Sequence, residues 1–137
     1  MYLLDTNVVS ELRKAKKAHQ SVKVWAQTLP AASLYISAIS ILELEIGILL
    51  IERRDRKQGA VLRAWMEGHV LPTFSSRILA IDTAVAQRCA ALHVPDPRSD
   101  RDALIAATAL VHAMTVVTRN VSHFQPMGVG VVNPWES

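Results

Sequence analysis

At 137 residues the chain has the length of a single domain, 1–137, with enough apolar residues for a packed core. Half of the residues are hydrophobic and a fifth are charged, and Cys89 is the only cysteine, which excludes an intrachain disulfide. Fifteen basic against twelve acidic side chains give a formal charge of +3, compatible with a polyanionic partner without demanding one.

In chain order, Tyr2-Leu3-Leu4 reads as a short buried strand that runs straight into Asp5, Thr6 and Asn7. Aspartate is a favoured N-cap, so Asp5 either caps a helix over about Asn7–Leu12 or meets carboxylates from elsewhere in the chain. The basic run Arg13–Lys17 precedes a helix over Ser21–Thr28. A second strand, Leu34–Ser37, leads into a helix over Ile39–Arg53. The longest apolar stretch, Ile36–Ile51, is broken by Glu43, Glu45 and Gly47 and is too polar to span a membrane. A second basic run, Arg53–Lys57, precedes a helix over Gly59–Val70 and a strand over Ile78–Ile81. The helix Thr83–His93 carries Cys89, read as a buried thiol. Pro95 and Pro97 mark a loop before the helix Asp100–His112, and strands over Thr115–Thr118 and Val129–Val132 follow. No basic-then-apolar leader precedes the first strand, so a cytoplasmic location is expected. Strands alternating with amphipathic helices predict an α/β fold: a mostly parallel sheet with helices on both faces. Ligands of such sheets bind beyond the carboxyl ends of the strands, which is where Asp5 stands.

Other acids are placed to reach that edge. Glu43 and Glu45 lie two residues apart in one helix and at about 100° per residue face nearly opposite ways, so one site uses only one of them. Gly47 lies one turn beyond Glu43. A helical glycine costs about 1 kcal/mol, worth bearing where something must approach closely, which favours Glu43 and leaves Glu45 as the exposed acid. Asp102 has a local explanation as part of a near capping box with Ser99. It also leads a small apolar face, Ile105, Ala106 and Ala109, that points inward; Asp100 is the reserve. After the strand ending at Thr118, Asn120 either caps a turn or offers an amide oxygen to the same edge as Asp5. Carboxylates, an amide and hydroxyls, with no His or Cys at ligand spacing, suit Mg²⁺ or Mn²⁺ rather than zinc. The histidines His19, His69, His93, His112 and His123 are scattered and read as structural or exposed.

These segments resemble the PIN-domain proteins of the VapC toxin family, in its FitB-like branch. The matching stretches are L-L-D-T-N-V-V-S-E, I-S-A-I-S-I-L-E-L-E-I-G, D-A-L-I-A-A-T-A-L, V-V-T-R-N and the terminal V-V-N-P-W, spread over essentially the whole chain. The resemblance implies a three-layer α/β/α sandwich and a metal-dependent endoribonuclease, the toxin of a toxin–antitoxin pair. The family's acidic positions fall on Asp5, Glu43 and Asp102, with Asp5 and Asp102 as metal ligands. The fourth position falls on Asn120, and the acid that other relatives carry falls on His123, so this chain departs from both versions. Thr6 matches the hydroxyl that accompanies the first acid, and Ser37 the polar residue opening the glutamate helix. Arg13, Lys14 and Arg101 are possible phosphate contacts outside the catalytic set. The implied partners are RNA, a VapB- or FitA-like antitoxin through which DNA is reached, and a second copy of the chain; no membrane is implied.

Two other readings compete. A phosphotransfer enzyme of the haloacid-dehalogenase type needs a second acid where Asn7 stands, and no lysine motif follows on the later strands. A non-catalytic role, as the apolar partner of a DNA-binding antitoxin in an operator complex, is distinguished by the activity of the free protein.

Overall fold

The computed structural model describes residues 1–136. Five parallel strands form one sheet in the order β3-β2-β1-β4-β5: β1 Tyr2–Leu4, β2 Leu34–Ser37, β3 Ile78–Leu79, β4 Thr115–Val117 and β5 Val131–Val132. The helices are α1 Thr6–Arg13, α2 Gln20–Gln27, α3 Ala38–Arg54, α4 Arg56–Trp65, α5 Leu71–Thr73, α6 Thr83–Leu92, α7 Asp100–Val111 and α8 Val121–Phe124. Successive side chains of a strand face opposite sides of the sheet. Leu3 and Val116 accordingly enter a core with Val85, Cys89, Ala106 and Phe124. Leu4, Ile36 and Val117 enter a second core with Val8, Leu44, Ile48 and Met66. Two cores on two faces make the three-layer sandwich expected from the alternation of elements. Among the described residues no helix is long and apolar enough to cross a membrane.

The chain builds outward through β2 and β3 on one side of β1, then crosses to β4 and β5 on the other. A crevice opens where the direction of winding reverses, at the carboxyl ends of β1 and its neighbours. Leu4 pairs with Ile36 and with Val117, so the next residues, Asp5, Ser37 and Thr118, come level at that edge.

The edge strands are shorter than expected, two residues each instead of four, because β3 and β5 have a partner on one side only. The helix expected over Gly59–Val70 begins earlier, capped by Asp55, whose Oδ1 accepts the Gln58 N–H at 3.1 Å. It then passes through a π turn, Met66–Val70, into α5, where Pro72 has no N–H to continue a regular ladder. Gly59 is instead a contact point: a Cβ there would lie 2.7 Å from the Glu52 Cα, so α4 packs on α3 at a distance only glycine allows. Glu45 is not a free surface acid. Arg63 of α4 donates to it at 2.7 Å and also to Glu52 at 3.2 Å, which ties the two helices together.

Candidate active site

The β1–α1 junction makes Asp5 both a cap and a buried acid. Its Oδ1 accepts the Thr6 N–H at 2.8 Å, and its Oδ2 accepts the Thr118 hydroxyl at 2.8 Å. The Asn7 amide Nδ2 approaches the same Oδ2 at 3.4 Å. Only 5 % of Asp5 is exposed. Burial pushes its carboxyl above the ordinary value; the Thr118 hydroxyl and the Thr6 N–H oppose the shift, and the charges of Asp102 and Glu43 add to it. Asp102 and Glu43 are therefore near enough to act on Asp5, although they follow it by many residues in the chain.

Glu43 is held by Thr6, whose hydroxyl donates to Oε1 at 2.7 Å, with the Ser40 hydroxyl 3.0 Å from the Thr6 oxygen. Its Oε2 lies 3.7 Å from an Arg101 nitrogen. Helical period allows only one of Glu43 and Glu45 at this edge, and Glu43 is the one beside Thr6 while Glu45 turns to Arg63, but the close approach expected at Gly47 is absent. Nothing lies within 4 Å of where a Gly47 Cβ would be, and the glycine instead widens an open groove. That groove, about 430 Å³, runs from Thr6 and Glu43 past Ile48 and Leu50 to Trp65, with Arg13 on its wall. Lys14 turns to Glu11 at 2.9 Å.

Asp102 sits in the first turn of α7, where a helix favours negative charge. The expected capping box is incomplete, since Ser99 occupies the N-cap position without a side-chain cap bond. Asp100 faces away, 92 % exposed and 3.7 Å from His93. His123, read from sequence as one scattered histidine among five, places Nδ1 3.3 Å from the Asp102 carboxylate.

Asn120 is exposed and stands at the start of α8 without capping it; its backbone N–H donates to the Thr118 hydroxyl at 3.0 Å. The amide that reaches Asp5 belongs to Asn7, which also approaches Thr118 at 3.4 Å. Ser37 is fully buried and spends its hydroxyl on the cap of α3, accepting the Ile39 N–H at 3.0 Å. The sequence alone did not single out Asn7, Ser40 or Thr118 as site neighbours, whereas His123 was marked only through the resemblance, as the place of an acid in other relatives. For Ser40 a signal existed: it precedes Glu43 by three residues, on the same helical face.

Among the described residues no three acidic, His or Cys side chains are already closed into a metal cage. The acids line an open edge instead. Their donors are hard oxygens, and a carboxylate destabilised first by burial and then by two neighbouring negative charges is a place where a divalent cation offsets the cost. The residues present therefore fit a hard cation.

A family model described as the PIN domain matches residues 2–125. The chain is similar to a VapC ribonuclease of Sinorhizobium fredii, 36 % identical over 99 % of each chain. It is also similar to the toxin FitB of Neisseria gonorrhoeae, 36 % identical over 98 % of this chain and 99 % of that one. Among solved structures, one of FitAB bound to an IR36 DNA fragment matches with a TM-score of 0.90 at 37 % identity, covering 100 % of this chain and 97 % of that one. A family model spanning nearly the whole chain, full-length relatives and a common fold agree: the chain belongs to the PIN domain family.

Proposed function

We propose that this chain is the toxin of a toxin–antitoxin pair and an endoribonuclease that hydrolyses RNA phosphodiester bonds with Mg²⁺ or Mn²⁺. The observation that carries the reading is the Asp5 carboxylate at an open strand edge, raised chiefly by its burial and further by the charges of Asp102 and Glu43. Relatives named as a VapC ribonuclease and a FitB toxin support it. Residues 1–137 act as one domain in this reading. Asp5 and Asp102 hold the cation, Glu43 supports it directly or through water and orients the nucleophile, and Asn120 completes the edge without charge. A bound divalent ion supplies polarisation of the phosphoryl oxygen and eases ionisation of the attacking water. The protein's own part is positional: Thr118 and the Thr6 N–H fix both Asp5 oxygens, and the Thr6 hydroxyl fixes Glu43. Ser37 serves indirectly, by starting α3 at the right place. The test is cleavage of RNA by the free chain with Mn²⁺ and its loss on chelation. An inactive free chain would favour the non-catalytic operator-complex role.

An amide oxygen at Asn120 can ligate a cation but brings no negative charge. The free protein then holds one cation well, and a second enters with the RNA phosphate. Asn120→Asp should tighten Mn²⁺ binding, by less than Asp5→Asn weakens it. Titration calorimetry of the three proteins checks this, and an unchanged affinity in Asn120→Asp would remove Asn120 from the site.

The partner is a FitA-like antitoxin, through which DNA is contacted. Its apolar helix or tail fits the groove along α3, and it carries a basic side chain towards the acids. Exposed Leu42, Leu49 and Val61 fit a homodimer. Light scattering at micromolar concentration should find twice the chain mass; monomer alone would refute the dimer. The proposed action on cellular RNA is one for the cytoplasm.

A further inference from the structure

Two cavities meet the acid edge. The groove beside Glu43 combines aliphatic side chains and Trp65 with the arginines Arg13 and Arg54. The second cavity, about 360 Å³, is lined by Arg98, Ser99, Asp102, Ser122 and His123, with Pro126 and Met127 as its apolar part. The loop bearing Arg98 is pinned, because its backbone N–H donates to His93 Nδ1 at 3.1 Å. Ser99 makes no cap bond, so its hydroxyl is not committed to its own helix. A guanidinium, two hydroxyls and an imidazole face a space large enough for one nucleotide, directly beside a proposed metal-binding acid.

We infer that this cavity is a nucleotide subsite, holding the base of one unpaired RNA residue next to the scissile phosphate, with guanine the best match. The inference rests on the ribonuclease reading above and adds a determinant of which bond is cut. Unpaired bases are recognised by stacking on aromatic or flat side chains and by hydrogen bonds to their edges. His123 and the Pro126–Met127 wall offer surfaces for the base faces. Arg98 offers two parallel donors, and guanine presents two adjacent acceptors, O6 and N7, that such a fork reads.

Short RNAs randomised on both sides of the cut, digested with Mn²⁺, test the inference. The wild-type chain should enrich guanine at one position beside the cut. Arg98→Ala should lower that enrichment about tenfold, with KM for the guanine substrate rising more than kcat falls. Arg98→Lys, which keeps the charge and loses the fork, should not restore it. Ser122→Ala should weaken the preference in the same direction. Enrichment that survives unchanged in both alanine variants, or a wild-type chain without nucleotide preference, overturns the subsite. A wild-type chain that cuts no RNA overturns the ribonuclease reading, and the subsite with it.

Discussion

Asp5→Asn and Asp102→Asn are each expected to lower RNA cleavage by on the order of a thousandfold or more, because each removes one of the two charges proposed to hold the cation. Asparagine is the informative replacement at position 5. It retains an oxygen for the Thr6 N–H, and Asn is as good an N-cap as Asp, so α1 keeps its start. Alanine there would lose the cap as well, at about 0.5–2 kcal/mol, and confuse folding with catalysis. Initial rates on a fluorogenic RNA with Mn²⁺, beside thermal melts of the same samples, separate the two effects. Chelator should silence the wild type to the level of the variants. Undiminished cleavage by both folded variants would sink the carboxylate site.

The same Asp5→Asn variant should be more stable than the wild type once metal is removed. In the folded chain the Asp5 carboxyl lies above its ordinary value of 3.8, so the native state holds that proton more tightly than the unfolded chain does. Between the ordinary and the raised value the native state binds more protons, and stability falls as pH rises through that window. Above it the cost of the buried charge is complete. The advantage of Asp5→Asn in chelator should therefore be small in acid, grow across the window and then level off. Added Mn²⁺ should reverse the order, because it binds and stabilises the wild type more strongly. A difference of 1 kcal/mol corresponds to a Tm change of roughly 2–8 °C for domains of this size range, within reach of scanning fluorimetry. Identical melting of the two proteins at every pH, with and without metal, would contradict a strained buried carboxylate.

The three acids were legible because each sits at a local break in pattern. Asp5 follows directly on a buried strand, Glu43 breaks the apolar run Ile36–Ile51, and Asp102 heads a small apolar face. Such signals involve residues within one or two turns of each other, where period and capping dominate. The order of helices and strands was readable for the same reason. The shortness of β3 and β5 was not, since an edge position is a property of the sheet.

Amino-acid sequence alone determined the α/β alternation and the local setting of the acids, with Asp5 just after a strand, Glu43 inside an apolar helix and Asp102 in a first turn. Only the tertiary structure decided which partners those acids meet. The Thr118 hydroxyl reaches Asp5 across 113 residues because β1 and β4 pair in parallel with Leu4 opposite Val117. Thr6 reaches Glu43 across 37 residues because α1 and α3 leave adjacent strands at the same edge. His123 meets Asp102 because α7 and α8 pack together. Periodicity records which face of an element is buried, whereas the neighbour buried against that face depends on strand order and register, which are set by the packing of the whole chain.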